Sequence, residues 1–557
     1  MSFHQTDLLL WCDHGEAKIS WLDGQVGYLG HGLESAKVLD AWVQESRADY
    51  LLLWKPERVL PDITLLNHLI EDGVDLAHCG LKQGMGDLWP SLSLVALDWS
   101  MINGPSDKPS TSWRLSLDAC LIRRDLILRL GGLDAAFSSR TGAGLEFGFR
   151  YLNKGALIEY RPELLAGSAE GNSSEPPLED LYVFLLRHYK PQWARYVAIR
   201  RTLGKRSWAV ERRALHKAKA RCAVSSIPKG TNETVWYSES THDHDELKKV
   251  SVSAIIPTLG RYAYLPDALA SLSRQTIKPR EIIVVDQNPL DSRRPEVYEA
   301  CAGLNLRVIW QDKLGQSLAR NTGLAEATSR YVFLFDDDSI ANDDLIETHL
   351  RAVASNRFQV STGVSYPPSP NDYQLPFNFR YPRIAQTFDT GNSLLPLVLA
   401  RQLKGLDRNY DFGPGTDLDF GTRLYLSGVR ILHNPKAVRI HFKAPMGGLR
   451  THGAHRYNTD TGLFNAFPPI TQSYYGLRYL SKSQQRERLL IQFVTSRLPK
   501  GLSSDEFLRM RNVLPAARVF LGLLLLPFKW YRSLKGAQAL VKSGTRLGLF
   551  EMPQPNE

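Results

Sequence analysis

Two pairs of similar segments occur in the same order along the chain, and this internal similarity limits the folds that the chain can adopt. The segment "GLDAAFSSRTGAGLEFGFRYLNKGALIEYRP" from Gly132 aligns without a gap to "GLDRNYDFGPGTDLDFGTRLYLSGVRILHNP" from Gly405, and about a third of the positions are identical. The segment "YLLLWKPERVLPD" from Tyr50 aligns in the same way to "YVFLFDDDSIAND" from Tyr331. Because both blocks recur in the same order, we predict two copies of one domain that arose by internal duplication.

Alternating strands and helices determine the expected fold class. The second copy begins with "VSAIIPTLGRYAYLPDALASLSRQ", a buried apolar strand followed by a Pro-Thr turn and a helix, and "REIIVVDQN" is the next strand. This alternation predicts an α/β fold with a Rossmann-like, mostly parallel sheet in each copy. A helical linker and a helical C-terminal region complete the expected architecture.

A length of 557 residues exceeds a single ordinary core, so we expect several domains. We predict a degenerate first copy at 1–175, a basic helical linker at 176–248, the second copy at 249–470 and a helical C-terminal region at 471–557. The linker is dense in Arg and Lys and has no clear apolar stripe. It could contact phosphates or acidic lipid headgroups, or it could simply be a solvated helix.

Charge and cysteine content narrow the partners and the compartment. The net charge of +10 indicates an anionic partner, such as nucleic acid, a phosphorylated substrate or an acidic membrane surface. Nucleic-acid binding would rest on the basic linker alone and is not expected. The five cysteines show no Cys-x-x-Cys spacing, which argues against a disulfide framework or a zinc site. Without a secretion signal at the N-terminus, the sequence predicts a cytoplasmic protein.

The C-terminal region contains the most apolar segment of the chain, "AARVFLGLLLLPFKWYR" from Ala516. Arg518 and Pro527 interrupt it, so we expect a helix that lies at a membrane surface rather than one that spans a bilayer. A buried core helix is the alternative. A peripheral location at an anionic membrane surface is therefore part of the prediction.

Polar residues follow three strand ends of the second copy. They are Pro257 and Thr258, then Asp286, then the triplet Asp336–Asp338. Ligands of open parallel sheets bind beyond the carboxyl ends of the strands, so we expect these residues to share one cleft. A lone acidic triplet is usually a solvated turn, but three carboxylates after a buried strand repel one another unless a cation is present. Such oxygen ligands suit Mg²⁺ or Mn²⁺, with substrate phosphates completing the coordination sphere.

The helix predicted within "FGPGTDLDFGTRLYLSG" carries a candidate general base. Thr416 is a plausible N-cap, and Asp417 lies in the first turn, where the helix dipole favours an ionised carboxylate. Asp417 and Asp419 could instead only stabilise the helix terminus. The first copy has Gly144 opposite Asp417, which favours a chemical role because capping alone does not predict this difference. His441, at the end of another apolar strand, is either a metal ligand or a structural histidine.

Taken together, residues 251 to about 445 resemble the family 2 glycosyltransferases with the GT-A fold. The segments "SAIIPTLGR", "EIIVVDQN", "GQSLARNTGL", "FLFDDDS", "GLDRNYDFGPGTDLDFGTRLYLSG" and "RIHF" occur in the order and approximate spacing of that family. Such enzymes transfer a sugar from a nucleotide-diphosphate donor to a hydroxyl acceptor, usually with inversion and with a divalent metal. The resemblance implies a glycan or a lipid-linked acceptor, with bacterial surface polysaccharide as the expected product.

The resemblance also implies a role for individual residues. Asp417 is the expected base that deprotonates the acceptor, and the metal ligands for Mn²⁺ or Mg²⁺ are expected to be Asp338, Asp336 and His441. Thr416 stands where many members have Glu, which leaves Asp419 as an alternative base. The residues expected to bind the nucleotide sugar are Pro257, Thr258, Arg261, Asp286, Gly315, Arg320, Asp336 and Asp337.

Two other functions remain open at this stage. A sugar nucleotidylyltransferase could use the same scaffold, but its Gly-rich loop should follow the first strand, where this chain has "PTLGRYAYLPDA". A carbohydrate-binding or scaffolding pseudoenzyme suits the first copy, which has Lys55, Pro56 and Glu57 opposite the acidic triplet. We expect the first copy to serve acceptor handling, assembly or membrane placement.

Overall fold

The alternating strands and helices of the sequence form two sheets in the computed structural model of the chain. The structure describes residues 6–10, 26–28, 34–79, 104, 107–165, 176–204, 206–224, 235, 243–299, 301, 303–355, 357–369, 375, 379–385, 387–452, 465–496 and 513–548. Cys12 and most of 225–242, the end of the predicted linker, lie outside these residues. The other four cysteines are free thiols.

The chain divides into two compact units whose limits differ from the four predicted regions. The first unit comprises Met1–Ser238, Pro376–Ala385 and Tyr425–His433, and the second comprises Glu239–Leu375, Gln386–Leu424 and Asn434–Glu557. Most of the predicted linker therefore belongs to the first unit, and the predicted C-terminal region belongs to the second.

The sheet of the first unit has the strand order β2-β1-β3-β6-β4-β7-β5. Strand β1 is parallel to β2 and β3, whereas β6 is antiparallel to β3 and β4. Buried apolar side chains such as Leu52, Trp54, Leu66 and Leu121 form the core on this sheet. The strands are β1 (Thr6–Leu10), β2 (Val26–Tyr28), β3 (Tyr50–Trp54), β4 (Leu76–His78), β5 (Ser110–Thr111), β6 (Ala119–Arg123) and β7 (Ile158–Tyr160).

Specific polar contacts attach the helices of the predicted linker to the first unit. The fully buried Asp180 accepts hydrogen bonds from the hydroxyls of Ser138 and Ser139 at 2.8 and 2.6 Å, and Arg187 pairs with Asp134 at 2.7 Å. The composition of the linker could not predict these contacts. The helices of this unit are α1 (Glu34–Glu45), α2 (Ile63–Glu71), α3 (Arg124–Leu130), α4 (Arg140–Asn153), α5 (Leu178–His188), α6 (Pro191–Leu203) and α7 (Trp208–Val224).

The second sheet has the strand order β10-β9-β8-β11-β15-β13-β16-β12 and is mixed, which corrects the prediction of a mostly parallel sheet. Strands β10, β9, β8 and β11 run parallel, but β15 is antiparallel to β11 and β13. Among the described residues, β13, β14 and β15 follow one another without a crossover helix, which parallel pairing would require. The strands are β8 (Val252–Thr258), β9 (Glu281–Asp286), β10 (Leu306–Trp310), β11 (Tyr331–Phe335), β12 (Ser339–Ala341), β13 (Val360–Tyr366), β14 (Arg383–Ala385), β15 (Asn392–Pro396) and β16 (Ile431–His441).

A glycine sets how closely one helix lies on this sheet. A Cβ atom at Gly323 of α11 would lie 2.4 Å from Cγ2 of Ile255 in β8, so only glycine allows this packing. The start of α11 is thereby held near the carboxyl ends of the strands. The helices of the second part of the chain are α8 (His244–Leu247), α9 (Leu265–Ser273), α10 (Glu296–Glu299), α11 (Gln316–Glu326), α12 (Leu345–Ala354), α13 (Leu397–Gln402), α14 (Thr416–Leu426), α15 (Gly448–His452), α16 (Ile470–Tyr479), α17 (Lys482–Ser496) and α18 (Val513–Ser543).

The C-terminal helices pack on the second unit. The hydroxyls of Ser473 in α16 and Ser533 in α18 lie 2.7 Å apart, and the side-chain amide of Asn409 donates to the carbonyl of Gly544 at 2.9 Å. Within the part of the chain that the structure describes, no helix is long and apolar enough to cross a bilayer.

The segments that align in sequence share a hydrogen-bond pattern as well as a strand order. In each unit an arginine of a helix binds the carboxylate one turn earlier and two main-chain carbonyls that precede the helix, at 2.5 to 2.9 Å. The groups are Arg150, Glu146, Leu130 and Gly132 in the first unit and Arg423, Asp419, Leu403 and Gly405 in the second. The strand order β2-β1-β3-β6-β4 matches β9-β8-β11-β15-β13 strand for strand.

Candidate active site

A cavity of about 310 Å³ opens beyond the carboxyl ends of β8 and β11 in the second unit. This is the position expected for a ligand site in a sheet of this kind. Of the predicted site residues, all except Asp286 line it. The lining includes Pro257, Thr258, Arg261, Gln287, Gly315, Gln316, Arg320, Asp336, Asp337, Asp338, Asp389, Thr390, Asp411, Phe412, Asp417, Arg439, His441 and Arg450.

Two arginines neutralise the first acid of the triplet. Asp336 accepts from Arg320 through Oδ1 and from Arg439 through Oδ2, each at 2.7 Å. Burial raises the pKa of Asp336, but the two guanidinium groups outweigh burial and hold that pKa well below its ordinary value. The expectation that the triplet requires a bound cation is therefore incomplete, because the chain itself supplies cations next to Asp336.

A third arginine lies between the other two acids. Nη1 of Arg261 is 2.9 Å from Oδ1 of Asp337 and 3.2 Å from Oδ1 of Asp338. Burial raises the pKa of Asp337 to about 6 despite the attraction of Arg261. Burial also acts on Asp338, but the contacts with His441 and Arg261 prevail and lower the pKa of Asp338. The two neighbouring carboxyls therefore differ in acidity.

The side chains of Asp336, Asp338 and His441 could hold a metal ion. Each offers one ligand atom, and these atoms lie within 4.8 Å of one another. Oδ1 of Asp338 is buried and accepts no hydrogen bond from the described groups, with Nε2 of His441 3.3 Å away. Oδ2 of Asp338 accepts from the main-chain N–H of Ala444 at 2.8 Å, which orients the carboxylate. Two carboxylates and an imidazole fit a divalent cation such as Mn²⁺.

Asp417 faces the cavity from the start of α14. Helix α14 begins at Thr416, so this residue is the first of the helix and not the cap before it. Oδ1 of Asp417 accepts from Oγ1 and N of Thr390 at 2.6 and 3.2 Å. Although Asp417 opens to the cavity, desolvation by the surrounding protein and the nearby Asp389 carboxylate raise the pKa of Asp417 to about 6. This value suits a general base at neutral pH.

Asp419 occupies a different environment on the same helix. It is buried, and its carboxylate accepts from Arg423 at 2.9 Å, from Arg478 at 2.5 Å and from the hydroxyl of Tyr479 at 2.9 Å. It does not line the cavity. The structure thus gives the two acids separate surroundings, with Asp417 at the cavity and Asp419 in an ion-pair network that ties α14 to α16.

Asp286 is fully buried at the end of β9. Its Oδ2 accepts from the hydroxyls of Tyr262 and Tyr298, each at 2.6 Å, and its Oδ1 accepts from the main-chain and side-chain N–H groups of Asn288. Both oxygens are engaged by the protein. The adjacent Gln287 lines the cavity instead. The predicted contact between Asp286 and a nucleotide base stays a prediction, and the observed role of Asp286 is to order the strand end.

Sequence reasoning missed several polar residues of the cavity, among them Arg439, Asp389 and Thr390. Arg439 lies two residues before His441 in β16. Because side chains alternate between the two faces of a strand, Arg439 points to the same side as His441, and this spacing could have predicted it. Its guanidinium also contacts Asp389 at 3.1 Å. Asp389 and Thr390 lie in the segment before β15, where no motif indicated a site.

In the first unit the position aligned with Asp417 faces the main chain. A Cβ atom at Gly144 would lie 2.8 Å from the carbonyl oxygen of Leu115, and one at Gly148 would lie 2.2 Å from that of Trp113. The segment around Leu115 therefore fills the space into which a side chain at position 144 would extend. Opposite the acidic triplet, Lys55 lies 3.6 Å from Glu57.

Comparisons with known proteins connect this part of the chain to one family. Residues 253–425 match the sequence profile of Glycosyl transferase family 2. Glycosyltransferase GlyA of Streptococcus pneumoniae serotype 4 is 29% identical over 117 residues, which are 21% of this chain and 17% of that protein. The uncharacterized glycosyltransferase YwdF of Bacillus subtilis strain 168 is 27% identical over 160 residues, which are 26% of this chain and 58% of that protein. The chain thus spans less than two thirds of either relative.

A solved structure also shows similarity. The crystal structure of S. aureus TarS 1–349 in complex with UDP-GlcNAc aligns with 53% of this chain and 92% of that chain, at 17% sequence identity and a TM-score of 0.34.

Proposed function

We propose that residues 253–425, which match the profile of Glycosyl transferase family 2, transfer a sugar from a nucleotide-diphosphate donor to a hydroxyl of a glycan or a lipid-linked acceptor. The observation that carries the proposal is that Asp417, a carboxylate with a pKa of about 6, shares one cavity with the Asp336–Asp338 triplet. The cavity therefore combines a base with groups suited to a charged leaving group.

The donor diphosphate would bind where arginines meet the strand ends. Arg261, Arg320 and Arg439 all line the cavity and give this wall positive charge that suits phosphate oxygens, although the guanidinium groups of Arg320 and Arg439 are already bound to Asp336. Pro257 and Thr258 line the neighbouring wall at the end of β8. A donor bound there would contact both the end of β8 and the three arginines.

Asp338, Asp336 and His441 would hold a divalent cation beside the diphosphate. When bound, Mn²⁺ or Mg²⁺ stabilises the negative charge that develops on the departing nucleoside diphosphate. The carboxylate of Asp338 is held for this role by the main-chain N–H of Ala444.

Asp417 would act on the acceptor. As the acceptor oxygen bonds to the anomeric carbon, its proton passes to Oδ2 of Asp417, and the bond from that carbon to the diphosphate oxygen breaks with its electron pair. Oδ1 already accepts two hydrogen bonds from Thr390, so the other oxygen is the better placed to take the proton. Such direct displacement inverts the anomeric configuration.

The pH dependence of turnover tests this assignment. We expect kcat/KM for release of nucleoside diphosphate, measured with a panel of UDP- and GDP-sugars and methyl glycosides, to fall as the pH drops below about 6. The sign follows because a protonated Asp417 cannot accept a proton. Asp337 titrates in the same range, so donor binding must be measured at each pH as the control. A rate that stays constant down to about pH 4.5 would remove Asp417 from the base role.

We also propose that the first unit is a non-catalytic copy of the same domain. The shared strand order and the equivalent contacts of Arg150 and Arg423 support a duplication. Lys55 replaces the first acid of the triplet, and Gly144 replaces the base. A copy without these groups suits acceptor handling, assembly or membrane placement, in a pathway that we propose makes surface polysaccharide.

The exposed face of α18 supports a contact with an anionic membrane surface. Leu524, Phe528 and Tyr531 are 63%, 47% and 60% exposed, and Arg532 and Lys535 lie 5.9 and 6.0 Å from the aromatic rings of Phe528 and Tyr531. Apolar side chains flanked by cations suit the interface of an acidic bilayer.

We therefore expect the protein to sediment with phosphatidylglycerol vesicles and not with pure phosphatidylcholine vesicles. The double substitution Phe528→Ser and Tyr531→Ser should reduce the bound fraction several-fold, because it removes the apolar area that enters the interface. Val398→Ser, at a similarly exposed apolar position of α13 (62%), is the control. Equal sedimentation of both variants would rule out this face of α18 as the contact.

A further inference from the structure

We infer that Phe412 is a platform on which the ring of an acceptor sugar stacks, and that the acceptor of this domain is consequently a carbohydrate. The inference rests on the proposed glycosyl transfer and deepens it by naming the acceptor class. Its evidence is the exposure of the Phe412 ring, the rigidity of the segment that carries it, and the presence of Phe412 and Asp417 in the lining of one cavity.

Phe412 is an exposed aromatic residue in a cavity that is lined mostly by polar residues. Its side chain is 51% exposed, whereas the adjacent Asp411 and Gly413 are buried and Tyr410 is completely buried. A phenylalanine ring normally contributes to a core through its large apolar area. An open ring in the wall of a cavity is therefore a candidate surface for an apolar part of a ligand.

The exposure of Phe412 does not come from a loosely held segment. The carboxylate of Asp411 accepts from the main-chain N–H groups of Ser317 and Leu318, each at 2.9 Å. The side-chain amide of Gln316 donates to the carbonyl of Tyr410 at 2.8 Å and to that of Gly413 at 3.0 Å. The main chain is thus fixed to the start of α11 on both sides of Phe412. A ring presented in this way is pre-organised for stacking.

The chemistry of the cavity wall favours a sugar. A pyranose ring has hydroxyl groups around its rim and C–H groups on its faces, and these C–H groups are attracted to the negative face of an aromatic ring. Phe412 and Asp417 together offer an apolar face and a carboxylate that can accept from a hydroxyl. A lipid chain could contact the ring of Phe412 but has no hydroxyl group to donate to the carboxylate of Asp417.

The first copy lacks this pair. Ser139 aligns with Phe412, and its hydroxyl accepts from the main-chain N–H of Gly142 at 3.0 Å, as a helix cap does. Gly144 aligns with Asp417. The aromatic ring and the base therefore occur together in the second copy, which links the ring to the substrate that the base serves.

Saturation-transfer NMR with the 557-residue chain tests the platform. The probes are the methyl glycosides of glucose, galactose, N-acetylglucosamine and N-acetylgalactosamine. We expect saturation of the ring C–H protons of at least one glycoside in the wild type and in Phe412→Tyr. Phe412→Ala should lose most of this signal, about fivefold or more. Phe379→Ala, at a phenylalanine that is 42% exposed and does not line the cavity, should match the wild type.

The outcomes separate the platform from the proposed function. Absence of saturation with every glycoside in the wild type, or an equal signal in Phe412→Ala, overturns the platform. Loss of thermal stabilisation by nucleoside diphosphates in Phe412→Ala also overturns it, because the ring would then serve the donor. Glycoside binding that depends on Phe412, in a protein that turns over no donor sugar, supports the platform and counts against the proposed transfer.

Discussion

Replacing Asp417 by asparagine should lower kcat/KM for sugar transfer by about 10²- to 10⁴-fold, the usual contribution of a general base. Asparagine keeps the size of the side chain and an oxygen that accepts from Thr390, so the local structure should persist. It cannot take the proton of the acceptor hydroxyl. Turnover is measured as release of nucleoside diphosphate, and donor binding is measured separately by thermal stabilisation, which we expect to remain within about twofold of the wild type.

The matched control for this substitution is Asp267→Asn. Asp267 is an exposed acid in the first turn of α9 and does not line the cavity, so its loss removes one negative charge from a helix start without touching the site. We expect this variant to keep full turnover. If Asp417→Asn kept more than a tenth of the wild-type turnover, Asp417 would not be the base.

The location of the cavity could be predicted because most of the residues that indicate it directly follow apolar strands, which short stretches of sequence reveal. Three apolar strands end in polar residues, and the rule that ligands bind beyond parallel strand ends placed Thr258 and Asp336 together. Asp417 could be singled out because the first copy has Gly144 at the aligned position. His441 could be placed because it ends a strand, and the structure brings it within 3.3 Å of Asp338.

Features that depend on distant contacts could not be predicted. The charge balance of Asp336 depends on Arg320 and Arg439, which are far apart in the sequence and meet only in the folded sheet. The antiparallel direction of β15 could not be predicted, because the pattern of apolar and polar residues in a strand does not determine its direction in the sheet. Asp286 ends its strand as a ligand-binding acid would, yet Tyr262 and Tyr298 occupy its Oδ2.

The balance of charges at the triplet raises the question of whether a cation binds there. Arg261 already contacts both Asp337 and Asp338, so the chain partly neutralises these acids by itself. Oδ1 of Asp338 nevertheless accepts no hydrogen bond from the described groups, and His441 faces it. A buried carboxylate oxygen in this state favours an additional cation. If a metal neutralises the site, an Asp338 variant should lose Mn²⁺-dependent stabilisation. If the arginines alone neutralise it, Mn²⁺ should have no effect.

We expect Asp338→Asn to abolish the Mn²⁺-dependent part of the thermal stabilisation that a nucleoside diphosphate gives. The amide oxygen can still accept from the N–H of Ala444, so the fold should persist, but the ligand charge is lost. Transfer should fall by more than about 100-fold, since loss of an outer-shell partner of a metal site alone costs about 10- to 100-fold. Asp343→Asn, at an exposed acid after β12, is the control. Stabilisation that is the same with and without Mn²⁺ in the wild type would mean that Arg261, Arg320 and Arg439 neutralise the diphosphate without a metal.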